Sequence, residues 1–150
     1  INNLDKPNSK IKTILKFKNV KLISKNVKSQ GLIQNSIAVA TVSGTAGWEA
    51  LFKNKPVLLF GTVFYQFAPN VFRVKTLEQV KSAIDKILYF KPQPNSLELM
   101  KVFLYILEKN SIRGWVDSYY REVACISEEK NLNNLISALK ERVKCTNGSS

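Results

Sequence analysis

The sequence contains no histidine among its 150 residues and only two cysteines. Cys125 and Cys145 do not form a CxxC pair and have no histidine beside them, so we expect no zinc or other metal site. The lack of histidine also excludes histidine-based general acid–base and triad chemistry within this chain. Two sparse cysteines fit a reducing compartment, and we expect a cytoplasmic protein.

Arginine and long apolar runs are also scarce. Only four of the 23 basic residues are arginine, and none of the four is close to another in sequence. Base readout and bidentate phosphate contacts usually rely on arginine, so we expect no nucleic-acid partner. No run approaches the roughly 18 apolar residues of a membrane span, and no secretory leader pattern opens the chain. The single methionine is Met100, so we expect that Ile1 is not a translation start and that the chain is a fragment.

Lysine is abundant, and its distribution is uneven. The formal charge is +12, and residues 1–30 hold eight lysines against one acid, Asp5. Such a basic end could meet an anionic membrane surface, an anionic sugar chain or nucleic acid. The simplest alternative is a solvated lysine-rich surface.

The apolar pattern predicts an α/β fold. Ile37–Val42 and Val57–Phe60 are β-branched runs typical of strands buried on both faces. A turn at Ser43–Gly47 and a short helix at Trp48–Phe52 separate them, and Val71–Val74 is a further strand candidate. Alternating strands and helices predict a Rossmann-like parallel sheet flanked by helices, with extra helices at the C-terminus.

The other predicted elements follow from spacing and capping residues. We predict a strand at Val20–Ile23, a brief helix with Ser29 as its N-cap, and a helix at Leu77–Leu88 capped by Thr76. Residues 1–10 predict a polar lead-in, and Lys91–Asn95, with two prolines, predicts a linker. We expect residues 1–90 to form a Rossmann-like ligand-binding domain. Residues 91–150 are expected to form a helical extension that packs on the same domain. The extension holds helices at Leu97–Leu107, with Ser96 as N-cap, at Asp117–Ala124 and from Ser127 onward, with an irregular corner at Ser111–Val116.

The turn after the first buried strand is the candidate ligand site. Ser43, Gly44 and Thr45 stand where a parallel strand enters a helix, so free backbone N–H groups and the helix dipole favour a phosphate there. The turn is neither a GxxxxGK[ST] loop nor a GxGxxG motif, and an ordinary βα turn is the alternative.

A longer string makes this turn more specific. SGTAGWEALFKNKPVLLFG, followed by FYQFAPNVFRV, resembles the carboxy-terminal domain of the bacterial capsule polysaccharide biosynthesis proteins, sugar transferases of the two-domain GT-B architecture. The resemblance runs from about Asn19 to the helix after Arg73 and weakly through residues 107–116, roughly two thirds of the chain.

The resemblance implies specific roles for residues of the site. Ser43, Gly44 and Thr45 would hold the phosphate of a nucleotide-sugar donor. Glu49, expected in the first turn of the helix, would accept hydrogen bonds from ribose hydroxyls. Tyr65 lies in a loop that follows the carboxyl end of a strand, and from that position we expect it to form a wall of the donor pocket. From the residues alone, Glu49 could instead stabilise the helix dipole. The aromatic residues Phe64, Tyr65 and Phe67 of the loop at Thr62–Asn70, the aromatic loop, could simply pack together.

For the parent protein, the resemblance implies transfer of a sugar to a lipid-linked or polysaccharide acceptor. Kdo transfer from a CMP-sugar is one specific form, and the expected place is the inner face of the cytoplasmic membrane. We expect no cofactor beyond the nucleotide-sugar donor. The catalytic residues are not assigned, because the family's Lys-x-His-Pro segment and the amino-terminal domain that supplies the base and acceptor groove are absent from this sequence.

Two other functions stay open. The chain could be a non-catalytic basic module that docks on anionic membrane or polysaccharide-assembly machinery. It could also be a fragment of a nucleotide-sugar epimerase, which shares the architecture, although the acidic and histidine groups of epimerases are largely absent here.

Overall fold

The computed structural model describes residues 9–147, so most of the predicted lead-in, residues 1–8, lies outside the described residues. The chain divides into two compact units between Pro92 and Gln93. The packing of the C-terminal helices on the ligand-binding domain stays a prediction.

The first unit is an α/β domain built around a three-stranded parallel sheet of order β1-β2-β3, as predicted for a Rossmann-like fold. Val39, Val57 and Val71 are in register across the sheet. Its elements are α1 (Ser9–Ile14), α2 (Ser29–Gln34), β1 (Val39–Thr41), α3 (Thr45–Phe52), β2 (Val57–Leu59), β3 (Val71–Arg73) and α4 (Leu77–Leu88).

Helices cover both faces of the sheet, with β2 at its centre. All three residues of β2 are buried, as expected for a central strand of a parallel sheet. Leu58 packs with Val74, Ala83 and Ile87, which places α4 on one face. Side chains alternate along a strand, so Val57 and Leu59 point to the other face, where α3 contacts β1 and β2.

Helix α4 has the predicted bounds and the predicted cap. The Gln79 amide donates to Thr76 Oγ1 at 3.3 Å, and the Thr76 amide donates to Gln79 Oε1 at 3.3 Å. This reciprocal pair is a capping box, which satisfies two of the amides that a helix start leaves without partners.

The predicted strand at Val20–Ile23 is wrong. Leu22 and Ile23 are 58% and 48% exposed, and the Val20 amide closes a turn onto the carbonyl of Phe17 at 3.0 Å. No strand within residues 9–147 pairs with this run, and an apolar run of this length without a partner does not form a strand.

The predicted N-caps at Ser29 and Ser96 are each displaced by one residue. Both serines are the first residues of their helices, and the N-cap positions belong to Lys28 and Asn95, neither of which makes a side-chain capping bond. A serine is favourable at either position, so sequence alone does not separate the two.

The second unit consists of helices, and Asn131 joins two parts of it. Asn131 is 6% exposed; its Oδ1 accepts from the Trp115 amide at 2.7 Å and its Nδ2 donates to the Trp115 carbonyl at 2.9 Å. These bonds hold the predicted irregular corner against the last helix. The elements are α5 (Ser96–Lys109), a 3₁₀ helix (Ser118–Tyr120), α6 (Arg121–Ala124) and α7 (Glu128–Asn147).

Candidate functional site

The candidate site lies at the carboxyl edge of the sheet, where β1 runs into α3. Gly44 has an extended backbone (φ −78°, ψ 155°) and occupies the N-cap position, and its amide donates to Thr41 Oγ1 at 2.9 Å. Helix α3 therefore begins at Thr45, three residues before the predicted start at Trp48.

The earlier start corrects the position of Glu49. The carboxylate belongs to the second turn of α3, and the first turn contains no acidic residue. The stabilising effect of a carboxylate on the helix dipole falls off within the first turn, so a simple helix-start role for Glu49 is disfavoured.

The turn presents unoccupied donors to solvent. Ser43, Gly44 and Thr45 are exposed. The Gly47 amide bonds to the Gly44 carbonyl at 3.3 Å, whereas the Thr45 and Ala46 amides have no acceptor among residues 9–147. Two free amides at the positive end of a helix dipole form a favourable environment for an anion.

Tyr65 lies beneath this turn. The ring is 1% exposed, and its hydroxyl donates to the Gly44 carbonyl at 2.5 Å. Burial raises the pKa of the Tyr65 phenol above its ordinary value, so the hydroxyl keeps the proton that it donates. The structure thus places Tyr65 as a support of the turn and not on the surface of an open pocket.

Gly47 allows the close contact between α3 and Tyr65. A methyl group at this position would lie 2.5 Å from Tyr65 Oη and 3.0 Å from Thr41 Cγ2. Only glycine leaves room for both atoms where they lie, which accounts for the glycine at this position.

Glu49 lies farther along the same helix. It follows Thr45 by four residues, so the two side chains share one face of α3, about 5–6 Å apart at Cβ. Ser29 Oγ, on α2, donates to Glu49 Oε2 at 3.4 Å. Glu49 is half-buried and borders a shallow cavity of about 170 Å³.

Ser29 is the site residue that sequence reasoning missed. It stands far from Glu49 in sequence, and the only signal it carries is that of a helix start. Its contact with Glu49 depends on the packing of α2 against α3, which a local pattern does not reveal.

Aromatic side chains surround the back of the turn. The ring of Trp48 lies 4.8 Å from Phe52, 5.0 Å from Phe64 and 5.8 Å from Tyr65, measured between centroids. These distances are typical of packed aromatic pairs and show that this part of the aromatic loop packs together.

The described residues contain no group of three or more His, Cys, Asp and Glu side chains that could hold a metal ion. In the same part of the chain, no helix combines the length and apolarity needed to cross a membrane.

The fold and the site together define a structural class, the open α/β proteins with a Rossmann-like sheet. A Rossmann-like sheet with an exposed small-residue turn at the carboxyl end of a strand is the arrangement in which open α/β proteins bind ligands. Residues 6–87 match the family model described as capsule polysaccharide biosynthesis protein. The match covers more than half of the chain, which therefore belongs to this family, as its residues predicted.

Family membership indicates a part in capsule synthesis and is compatible with a glycosyltransferase parent. The match begins before Asn19 and does not include the weaker stretch at 107–116. No curated protein and no solved structure matches the chain.

Proposed function

We propose that this chain is the nucleotide-sugar-binding part of a glycosyltransferase of GT-B architecture that works in capsule or surface polysaccharide synthesis. The observation that carries the proposal is the exposed turn at the start of α3, whose Thr45 and Ala46 amides have no acceptor in the described part of the chain. Membership of the capsule polysaccharide biosynthesis family supports it.

Each residue of the site has a chemical role in this proposal. The amides of Thr45 and Ala46 donate hydrogen bonds to a phosphate of the donor, which the α3 dipole also attracts, and the hydroxyls of Ser43 and Thr45 add hydrogen bonds. Glu49 accepts hydrogen bonds from the two ribose hydroxyls, because a carboxylate offers two acceptor oxygens. Tyr65 is a positioning residue that holds the Gly44 carbonyl, and with it the turn.

The other half of the reaction belongs to groups outside this chain. In the proposal, a separate amino-terminal domain supplies the catalytic base and the groove for a lipid-linked or polysaccharide acceptor. The donor is a nucleotide sugar, with CMP-Kdo as the most specific candidate, and the work takes place at the inner face of the cytoplasmic membrane. We expect the isolated chain to bind nucleotide weakly and to catalyse no transfer.

Nucleotide titration tests the proposal. When the ¹⁵N-labelled chain is titrated with CMP and with UDP, the amide signals of Gly44, Thr45 and Ala46 should shift in NMR spectra. Glu49→Gln should weaken binding about tenfold, because it removes charge-assisted hydrogen bonds. Glu108→Gln is the matched control, since Glu108 is an exposed glutamate on α5. Absence of shifts at millimolar nucleotide, or equal affinity of Glu49→Gln and wild type, would refute the proposal.

A second candidate, docking on an anionic membrane, is favoured by residues 11–28, which we call the basic segment. It contains six lysines and no acidic residue. Its apolar side chains are exposed as well, with Ile14 at 52%, Phe17 at 61% and Leu22 at 58%. Exposed apolar groups among lysines are typical of interfacial membrane binding.

Vesicle sedimentation separates this candidate from donor binding. The chain should bind vesicles of phosphatidylcholine with 30% phosphatidylglycerol and should release them as salt rises. Replacing Lys18 and Lys21 by Gln should weaken binding roughly 30-fold, at about 1 kcal/mol per lysine near the surface. Lys81→Gln with Lys86→Gln, on α4, is the control pair. Vesicle binding that changes neither with salt concentration nor with the lysine substitutions in the basic segment would count against docking. Glu49→Gln should leave vesicle binding unchanged.

A further inference from the structure

A second cavity, which we call the arginine cavity, lies at the carboxyl ends of β2 and β3 and has a volume of about 370 Å³. Buried Leu59 and Val74 form part of its lining. Its polar lining comes from the last residue of β3, Arg73, and from residues that follow the two strands, namely Thr62, Gln66, Lys75 and Gln79. The size suits a small ligand, and the location is the edge at which parallel sheets bind one.

The charge of the arginine cavity is of one sign. Arg73 and Lys75 are its charged residues, and no carboxylate is part of the lining. The ion pairs formed within residues 9–147 join Lys101 to Glu98 and Arg121 to Glu128, so neither cation of the cavity forms an ion pair with a described carboxylate. Glu78 shares a separate groove with Arg73. Two unpaired cations in one concave site favour an anion.

The guanidinium of Arg73 is oriented by an aromatic ring. Its central carbon lies 4.5 Å from the centroid of Phe67. The guanidinium makes no hydrogen bond to any residue in the described range, so its N–H donors stay available beside this cation–π contact. A planar, oriented fork with free donors matches the two oxygens of a carboxylate or phosphate.

The backbone around the cavity is also fixed and rich in donors. Gln79 Oε1 accepts from the Lys75 amide at 2.7 Å, which holds the start of α4 against the end of β3. The amides of Gly61 and Thr62 have no acceptor among the described residues. Both residues line the cavity.

The arginine cavity adjoins the turn before α3. The Phe60 amide donates to the Thr41 carbonyl at 3.0 Å, and Gly61 approaches the Val42 backbone so closely that a methyl group would collide with it. The end of β2, which borders the cavity, therefore lies directly beside the end of β1, which leads into the turn.

We propose that the arginine cavity binds a small oxyanion, a carboxylate or a phosphate, through a bidentate contact with Arg73 and a second charge contact with Lys75. The proposal stands on the cavity itself and does not require that the α3 turn binds a nucleotide. Oxyanion binding is measured by shifts of the Gly61, Thr62 and Lys75 amide signals, and nucleotide binding by shifts of the Gly44, Thr45 and Ala46 amide signals. The failure of one proposal is therefore distinguishable from the failure of the other.

The test titrates the ¹⁵N-labelled chain with inorganic phosphate, with glucuronate, and with glucose as the uncharged control, at constant ionic strength. We expect saturable shifts of the Gly61, Thr62 and Lys75 amides with an oxyanion and none with glucose. Saturation by glucuronate alone assigns the cavity to a sugar carboxylate, and saturation by phosphate alone assigns it to a phosphoryl group. Saturation by both supports the shared oxyanion chemistry.

Variants decide whether Arg73 carries the binding. Arg73→Gln should weaken oxyanion binding tenfold or more, and Arg73→Lys should recover only part of it because the planar fork is lost. Lys81→Gln, an exposed cation outside the cavity, should change affinity less than twofold. Circular dichroism checks that each variant is folded. Equal binding by Arg73→Gln and wild type, no saturable shift with either oxyanion, or shifts of the same size around Lys81 would overturn the proposal.

Discussion

At the scale of single residues, the contact between Gly47 and Tyr65 determines the shape of the turn. The Tyr65 hydroxyl occupies the space that a side chain at position 47 would fill, and it bonds to the Gly44 carbonyl. The glycine and the phenol therefore act as one unit beneath the amides of Thr45 and Ala46, which have no acceptor in the described part of the chain.

This unit predicts a coupled mutational effect. Gly47→Ala should destabilise the chain by about 1–3 kcal/mol, since it overpacks a buried contact. Tyr65→Phe should cost about 1 kcal/mol, because it leaves the Gly44 carbonyl without its donor. In the double variant the alanine methyl group no longer contacts a hydroxyl. The measured loss of unfolding free energy in the double variant should therefore be smaller than the sum of the losses in the two single variants. Urea denaturation of all four chains measures this coupling, and simple additivity would contradict it.

Residue-scale reasoning from sequence reached only part of this site. Small residues after a buried strand were enough to predict the exposed turn at Ser43–Thr45. The burial of Tyr65 and the contact of Ser29 with Glu49 depend on residues distant in sequence, and no periodic pattern encodes them.

At the scale of elements, α4 has the most complete set of local signals. Thr76 and Gln79 form the capping box, and Glu78 stands in the first turn. Hydrogen bonds from the Glu78 backbone amide and from the Thr76 hydroxyl lower the pKa of the Glu78 carboxyl.

The lowered pKa of Glu78 predicts a pH dependence of stability. A carboxyl whose pKa is depressed by folding stabilises the folded chain above its unfolded pKa, near 4.5, and loses that contribution as pH falls through the folded pKa. Glu78→Gln should therefore lower Tm at pH 7, and the difference from wild type should shrink below about pH 4. Glu108→Gln controls for the change in net charge. A Tm difference that grows on acidification would contradict this assignment.

Elements were predictable where local pattern and tertiary packing agree. The strands at β1, β2 and β3 and helix α4 lie where apolar periodicity and capping indicate. The run at Val20–Ile23 has the same composition as a strand, but no strand in the described part of the chain pairs with it. Helix α3 starts early because Gly44 and Thr41 close the turn through a side-chain bond. The contact of Arg73 with Phe67 also depends on tertiary packing, because it joins the end of β3 to a loop.

At the scale of the whole molecule, the division after Pro92 separates the candidate site from the C-terminal helices. The hydrogen bonds that shape the turn, from Gly44 to Thr41 and from Tyr65 to Gly44, all lie within the first unit. So do the residues of the arginine cavity. The first unit therefore contains both proposed ligand sites.

Truncation tests the independence of the first unit. Residues 1–92 should fold alone, since a domain of this length can bury its own core, and should bind nucleotide within about twofold of the full chain. Thermal unfolding and the nucleotide titration measure both properties. Amide signals of the first unit that shift on truncation would locate any contact with the C-terminal helices. Loss of cooperative unfolding in residues 1–92 would contradict the expectation that the first unit folds alone.

The hydroxyl beneath the glycine also has an evolutionary consequence. Because the space at position 47 is filled from position 65, a side chain at position 47 fits only when position 65 changes as well. In homologous chains, a larger residue at the first position should be accompanied by a phenylalanine or a smaller side chain at the second, so that the two positions covary.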